Sequence, residues 1–339
     1  MSFGTEKKLN TITIILVLVL IFIVLSNFIK VNYFITAPGL ALPLDKIITV
    51  EKGKKDAKGA FYLTAVTSKQ ASLFNYIYIT LVKPKGIELT PKELTLPPEM
   101  DMEQYIKIME DMMVESQMFA KVVALRKMGY ETDIRGHGAE VVEIMENSNA
   151  REILEKGDII VAIDGEPVSL ASEAVQLIQR HEIGDIVKLQ VKRNEELLNF
   201  EVKTIELKEN PGKASVGIYI MTHNREYSFP LDIDISTENI IGPSAGTMFA
   251  LEIINQLHPE DITKGYKIAG TGTIDLEGRV GTISGVVQKV MAAEARGVDY
   301  FFVPLGNYEE AKAAATSVKV VKVETIDDAL NFLKKLTEQ

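Results

Sequence analysis

The chain of 339 residues contains no cysteine, which excludes thiolate metal sites and thiol nucleophiles. Histidine is scarce, and no His-Glu-x-x-His pattern or Walker A sequence occurs. None of the histidines stands in a nucleophile-elbow sequence, so a histidine-based triad has no support, although sequence spacing alone does not exclude one. We predict no metal, no cofactor and no nucleotide. The histidines are His137, His181, His223 and His258.

Basic residues are also in deficit. The chain has 37 Lys and Arg against 47 Asp and Glu, a formal net charge of −10. Residues 1–30 carry a net charge of +2, so the remainder carries −12. A domain this acidic repels a phosphate backbone, and we predict that the chain does not bind nucleic acid.

One long segment has no charged side chain. Residues 11–29 would span about 28 Å as a helix, close to the thickness of a bilayer core. A cleaved signal peptide is the alternative, but Lys30 follows the segment and no small-x-small cleavage site lies close behind. We predict an uncleaved single-pass anchor in the cell membrane. Lys7 and Lys8 precede it, which favours a cytoplasmic N-terminus and an extracellular position for the chain that follows.

The next hundred residues alternate between extended and helical patterns. Residues 35–43 contain two prolines and resemble an extended linker. Aromatic and β-branched residues predict strands at 61–66 and 76–82. Residues 102–128 have the period of a helix with one apolar face that contains several methionines, for which a packed core is a simpler interpretation than a binding groove.

A compact β-rich pattern follows at residues 138–205. A strand at 138–145 precedes Gly-Asp-Ile-Ile-Val-Ala-Ile-Asp-Gly-Glu-Pro-Val at 157–168, then a short helix at 170–181 and strands at 186–192 and 200–205. Over about 70 residues this pattern resembles a PDZ domain of the bacterial protease-associated type. The resemblance implies that a peptide carboxylate meets N–H groups of a glycine-containing loop and that the peptide adds to the first strand. The residues that correspond to this site are Gly136, His137, Gly138 and Ala139, although the loop lacks the usual Gly-Leu-Gly-Phe sequence.

A serine between small residues follows at Gly242-Pro243-Ser244-Ala245-Gly246, before a helix predicted from about Ser244 to Leu257. Free N–H groups at a helix start favour a developing oxyanion, and Ala245 and Gly246 leave the approach open. A simple helix N-cap is the alternative role of Ser244, and the two roles are compatible.

Lys289 is the single charged residue between positions 286 and 293. Its helical neighbours are Val286, Ala292 and Ala293. Burial would lower the pKa of the ammonium group and make the side chain a general base. The alternative is a half-buried helix from which the lysine extends to solvent.

The segments taken together resemble the proteolytic domain of Lon peptidases over roughly 100 residues. Their order is Ser244, residues 269–280, residues 283–293, Gly297 and residues 302–304. The resemblance implies that Ser244 is the nucleophile, that Lys289 is the general base and that Thr271 holds the lysine. The other residues of the serine motif have a supporting role around Ser244. They are Gly242, Pro243, Ala245 and Gly246. Many Lon enzymes have an acidic residue where this chain has Ile241, which leaves regulation through such an acid in doubt.

We therefore predict a mixed α/β (α+β) fold with an N-terminal transmembrane helix. The predicted domains are the tail and anchor at 1–34, strands and a helix at 35–128, a PDZ domain at 129–207 and a Lon-type domain at 208–339, of the ribosomal protein S5 domain 2-like fold. Lon domains start with two strands and a helix, and residues 113–117 resemble a stretch of that first helix. Our hypothesis is that residues 60–127 supply these elements and that the PDZ domain is inserted after about Lys127.

The whole arrangement resembles the membrane-anchored PDZ–Lon-like serine peptidases of Gram-positive bacteria. This resemblance implies ATP-independent cleavage of extracytoplasmic peptides or proteins by a Ser–Lys dyad, and, because Lon domains often form rings, a homo-oligomeric ring. A membrane-tethered PDZ adaptor with an inactive peptidase fold is the alternative. A small-molecule kinase of the related fold family is disfavoured, because residues 242–246 lack a Gly-Leu-Gly-Ser-Ser-like phosphate loop.

Overall fold

The computed structural model describes residues 3–55, 58–96, 101–207, 210–238 and 240–338. These residues form two compact units. The first unit combines Met1–Glu131 with Leu231–Gln339, and the second is Thr132–Pro230. The chain thus leaves the first unit once and returns to it after the second unit is complete.

Helices and strands alternate through much of the chain, so the prediction of a mixed α/β fold is confirmed. The helices are α1 (Phe3–Phe28), α2 (Leu73–Val82), α3 (Lys92–Thr95), α4 (Met102–Lys127), α5 (Ala171–Ile178), α6 (Gly246–Leu257), α7 (Val286–Arg296), α8 (Tyr308–Ala314) and α9 (Ile326–Leu333). The strands are β1 (Lys30–Pro43), β2 (Ile48–Val50), β3 (Ala60–Ser72), β4 (Glu88–Pro91), β5 (Asp133–Arg135), β6 (Ala139–Ile144), β7 (Ile159–Ile163), β8 (Glu166–Pro167), β9 (Ile186–Arg193), β10 (Glu196–Lys203), β11 (Ile205–Leu207), β12 (Asn210–Ser215), β13 (Ile218–Thr222), β14 (Glu226–Ser228), β15 (Ile233–Ile235), β16 (Lys267–Gly270), β17 (Thr273–Ile274), β18 (Val280–Gly281), β19 (Tyr300–Pro304) and β20 (Lys319–Val323).

The first unit contains a six-stranded sheet in the order β20-β19-β16-β3-β1-β4. The strands from β20 to β3 are parallel, whereas β1 is antiparallel to both of its neighbours. Phe61 and Leu63 of β3 and Phe301 and Phe302 of β19 are fully buried. Apolar residues on both faces are typical of parallel strands that helices cover, and α7 packs against β1 and β3.

The second unit is built on the strand order β10-β9-β7-β6-β13, with α5 packed against the sheet. Its Gly-Asp turn has a structural role, because the buried Asp158 accepts hydrogen bonds from Arg193 at 2.6 and 2.7 Å. The ends of the unit meet, since β5 pairs with β14 and Asp133 lies opposite Ser228.

Two predictions of local structure are wrong. Residues 76–82 belong to α2 rather than to a strand: the Ser72 hydroxyl accepts the Asn75 N–H at 3.2 Å at the helix start, and Lys83 ends the helix in a left-handed conformation. These end signals outweigh the strand preference of the aromatic and β-branched residues. Residues 35–43 are extended, as predicted, but they lie within β1 and pair with β3 rather than forming a linker.

The boundary between the domains also differs from the predicted one. Residues 208–230 were assigned to the Lon-type domain, but β13 and β14 belong to the second unit. The reason is strand pairing, because β13 extends the sheet beside β6 and β14 pairs with β5. In the first unit, β3 pairs in parallel with β16, so segments on either side of residues 132–230 share one sheet.

The N-terminal helix α1 contains an apolar stretch, Thr11–Phe28, of mean hydropathy 2.8. Most of its large apolar side chains are exposed. By length and composition it is compatible with a membrane anchor or with a signal sequence.

The pairing of β5 with β14 predicts that the second unit can be removed cleanly. We expect a chain in which a Gly-Gly-Ser linker replaces residues 133–228 to retain the first unit, because paired strand residues lie only about 5 Å apart. Hydrogen exchange should show β3 and β16 as protected as in the full chain. The control deletion, residues 129–207, leaves β13 and β14 without partners and should aggregate. Loss of protection in β3 after the first deletion would contradict the prediction.

Candidate active site

Ser244 lies on a turn that two hydrogen bonds connect to helix α4. Gly242 has a φ of +90°, which favours glycine, and its N–H donates to the Met109 carbonyl of α4 at 2.9 Å. The Ser116 hydroxyl, also on α4, donates to the Pro243 carbonyl at 2.9 Å. Helix α4 therefore fixes the turn that carries the serine.

Helix α6 begins at Gly246, and Ala245 is its N-cap residue. Ser244 is therefore not the N-cap, and its half-buried side chain is free of that role. The Gly272 N–H donates to the Ser244 carbonyl at 2.8 Å. A Cβ at Gly246 would lie 2.5 Å from Ser116 Oγ, so this position has room only for glycine.

Lys289 lies on α7, which starts after Gly285 in a left-handed conformation. Only 3% of Lys289 is exposed, and Val286, Val290 and Ala293 of the same helix are also buried. Burial disfavours the charged ammonium and lowers the pKa of Lys289 from its ordinary value of 10.5 to about 8. No described carboxylate forms an ion pair with it.

The lysine reaches two hydroxyl groups. Lys289 Nζ donates to Ser244 Oγ at 2.7 Å and to Thr271 Oγ1 at 3.0 Å. The Thr271 hydroxyl in turn donates to the Ser244 carbonyl at 3.0 Å, and the Thr271 N–H donates to Phe302 O of β19. Thr271 is fully buried and uses its hydroxyl as donor and acceptor at once, which orients the amine towards the serine.

This arrangement is suited to proton transfer from a hydroxyl. Once the amine is neutral, the contact reverses and the Ser244 O–H donates to Lys289 Nζ, so that the amine can take the proton. Among the described residues, no carbonyl or side chain accepts the N–H of Ser244 or of Ala245. These two donors next to the serine remain available to an oxygen that becomes negative during attack.

The predicted peptide site of the second unit is already occupied by the chain itself. The His137 N–H donates to the His223 carbonyl at 2.9 Å, and the Gly138 N–H donates to the Ser169 carbonyl at 3.2 Å. Ala139 and the rest of β6 pair with β7 on one side and with β13 on the other. A Cβ on Gly136 would lie 2.4 Å from the Thr222 side chain. The predicted free edge beside the first strand is therefore absent from this structure.

Two known domain families match parts of the chain. Residues 116–204 match the PDZ domain family, and residues 230–336 match the Lon protease (S16) C-terminal proteolytic domain. The chain therefore contains one segment that matches the PDZ domain family and another that matches the proteolytic domain of Lon proteases.

Individual relatives cover part of the chain. It is 35% identical over 114 residues to a Lon protease of Campylobacter concisus, which covers 31% of this chain and 14% of the relative. It is 30% identical over 144 residues to Lon protease 2 of Bacillus subtilis, which covers 40% and 25%. The chain thus spans a quarter or less of the length of these relatives. Among solved structures, the PDZ domain of an SdrC-like protein of Listeria innocua is 28% identical, covering 26% of this chain and 97% of that domain with a TM-score of 0.24.

Some residues that shape the site have no sequence signal of their own. Ser116 lies 127 positions from the carbonyl that it contacts, and Met109 accepts a hydrogen bond from the turn through its backbone carbonyl. The resemblance of residues 113–117 to a Lon helix was the single hint that α4 lies near the serine. By contrast, the structure brings Ser244, Thr271 and Lys289 together as the motif order predicts.

Proposed function

We propose that this chain is an ATP-independent serine endopeptidase with a dyad of Ser244 and Lys289. The observation that carries the proposal is the 2.7 Å contact between Ser244 Oγ and the amine of a lysine that is 3% exposed. A buried lysine without an acidic partner has little other use beside a reachable serine hydroxyl.

The proposed reaction has two halves. Neutral Lys289 takes the Ser244 proton while Oγ attacks the scissile carbonyl, and the N–H groups of Ser244 and Ala245 stabilise the oxyanion. The ammonium of Lys289 then returns the proton to the leaving amine, and an acyl-enzyme remains. Water attacks the ester next, with Lys289 again taking and returning one proton, so that the acid product leaves and Ser244 is restored.

Thr271 acts in this scheme as a positioning residue. Its hydroxyl contacts Lys289 Nζ and Ser244 O but lies outside the reacting bonds. Because both contacts fix the direction of the amine, a small displacement of this hydroxyl would weaken proton transfer.

We further propose that α1 is an uncleaved anchor with a cytoplasmic N-terminus, and that the second unit and the part of the first unit that follows α1 lie on the extracellular side of the cell membrane. In this proposal the PDZ domain is inserted into the peptidase domain. The PDZ domain captures flexible peptide or protein segments. The shared sheet of β3 and β16 and the meeting of β5 with β14 support the insertion. We also propose that copies of this chain assemble into a homo-oligomeric ring and that the chain binds neither nucleic acid nor nucleotide.

Removal of either member of the dyad tests the reaction. Ser244→Ala and Lys289→Ala should each lower kcat for an unstructured protein substrate such as casein by at least about a thousandfold. Circular dichroism and melting should stay close to those of the parent for Ser244→Ala, since its side chain is only half-buried. Retained hydrolysis by either variant would contradict the dyad. An inert parent chain that still binds peptides would favour the adaptor function.

The lowered pKa of Lys289 predicts the pH dependence. The ammonium form is inactive as a base, so activity is small well below pH 8 and rises as the amine loses its proton. For a midpoint near 8, kcat should increase about fivefold between pH 7 and pH 8 and level off above pH 9. A rate profile from pH 6 to 10 checks this, and a midpoint near 10.5 would show that the lysine is not desolvated during turnover.

Thr271→Val tests the positioning role with little change of volume. The hydroxyl accepts a hydrogen bond from the ammonium and therefore favours the charged form of Lys289. We expect kcat to fall about tenfold or more and the midpoint of the pH profile to move below that of the parent. Thr273→Val is the matched control, because Thr273 contacts Thr247 and Gly281 through its backbone. An unchanged midpoint in Thr271→Val would refute this role.

A further inference from the structure

Strand β13 lies where a peptide ligand of a PDZ domain would add. It runs antiparallel to β6, from Ile218 opposite Ile144 to Thr222 opposite Ala139. The C-terminal end of β13 reaches the glycine-containing loop. There the His137 N–H donates to the His223 carbonyl, and the His223 N–H donates to the Gly138 carbonyl, both at 2.9 Å. The match to the PDZ family ends at residue 204, so β13 is an addition to that domain.

The side chains of β13 alternate as those of an added strand do. Ile218 and Ile220 pack against the core of the second unit, whereas Tyr219 and Met221 are 52% and 51% exposed. Thr222 is buried next to the loop, and its hydroxyl accepts the Ala171 N–H at the start of α5 at 3.0 Å.

We propose that residues 218–223 are an internal ligand of the PDZ groove and that an external peptide binds only by displacing β13. The contacts define the class of peptide: aliphatic residues at alternate positions, then a small β-branched residue beside the loop. A tethered strand competes at a high effective concentration, which weakens the apparent affinity for every external peptide. The inference rests on the proposed peptide capture, but not on the dyad.

The absence of cysteine allows a direct test in the full chain. Tyr219 and Glu143 lie opposite each other and are both exposed, so Tyr219→Cys with Glu143→Cys would lock β13 when oxidised. The Ser244→Ala background prevents cleavage, and the probe is a labelled peptide of residues 216–222 with a free carboxylate. The oxidised protein should bind the probe at least about tenfold more weakly than the same protein after reduction. Lys188→Cys with Glu201→Cys, on β9 and β10, is the matched control and should show no difference.

A second pair of variants opens the groove instead. Ile220→Asp removes a packed side chain and should bind the probe at least about tenfold more tightly than the parent, whereas Tyr219→Asp on the exposed face should not. Equal binding by the oxidised and reduced double-cysteine protein, or no binding by folded Ile220→Asp, would overturn the inference. Failure of the chain with Ser244 intact to hydrolyse casein, with these binding differences still observed, would count against the dyad alone.

An independent observation concerns α2, whose ten residues include no charged side chain. Ile77, Tyr78, Leu81 and Val82 are between 37% and 77% exposed. The helix starts beside the end of α1, where the Leu73 N–H donates to the Ile29 carbonyl at 2.8 Å. The exposed apolar surface of α1 therefore continues onto α2.

Basic side chains flank this apolar surface. Lys83 and Lys85 follow α2 and are exposed. Lys30, also exposed, lies opposite Ser72 in the β1–β3 ladder, next to the start of α2. This local positive charge contrasts with the net charge of −10 for the whole chain. Apolar residues next to lysines are suited to the boundary between acyl chains and anionic headgroups.

We infer that α2 lies in the headgroup region of an anionic membrane, the same bilayer that α1 enters, and holds the first unit against it. The inference rests on the proposed anchor.

The chain contains no tryptophan, so Tyr78→Trp gives a single probe. In vesicles of phosphatidylcholine and phosphatidylglycerol, its emission should shift to the blue and be quenched by brominated lipids. Tyr130→Trp, 38% exposed and outside α1 and α2, is the control and should not be quenched. Equal quenching of the two would overturn the inference. A blue shift of Tyr78→Trp without quenching would also overturn it, since a second protein copy would then cover α2.

Discussion

The exclusion of water from one amine is the constraint on which the rest of the proposed site depends. Lys289 is nearly fully buried, and its partners are the hydroxyls of Ser244 and Thr271 rather than a carboxylate. A carboxylate at that distance would have stabilised the ammonium and raised its pKa, which would remove the base. Hydroxyl partners orient the amine without keeping it charged. The burial that destabilises the charged form of Lys289 is thus what would allow its neutral amine to act as a base.

The burial and the orientation come from different parts of the first unit. Helix α7 carries Lys289 among other buried residues, including Val286, Val290 and Ala293. The end of β16 carries Thr271, whose N–H is tied to β19, and α4 holds the serine turn through two backbone carbonyls. Strand β3 sets the place of β16 in the sheet. Segments from both sides of residues 132–230 therefore contribute to one geometry, so the first unit has to be complete before the dyad can form.

The residues of the candidate site could be predicted from the sequence, because they lie in short motifs. Ser244, Thr271 and Lys289 were recognisable because their order and small-residue surroundings are specific, and the mixed α/β fold followed from alternating patterns. Strand β13 shows the limit of such patterns. Its partner was unpredictable, because alternation reveals which side chains share a face and not which strand lies alongside. For α2, composition favoured a strand, and the capping contact of Ser72 decided otherwise.

If β13 is displaced as proposed, the strand pairing at the ends of the second unit would separate that change from the first unit. Strand β14 follows β13 after a short turn, and displacement of β13 would pull on whatever follows it. The ladder between β14 and β5, from Glu226 opposite Arg135 to Ser228 opposite Asp133, stands between that pull and residue 231, where the chain re-enters the first unit. The ladder shares no strand with the sheet that contains β6 and β13, so an exchange at β6 would remove neither of its two strands. If the second unit is inserted and carries an internal ligand, as proposed, the β5–β14 ladder would allow that ligand to exchange while the turn that carries Ser244 stays in place.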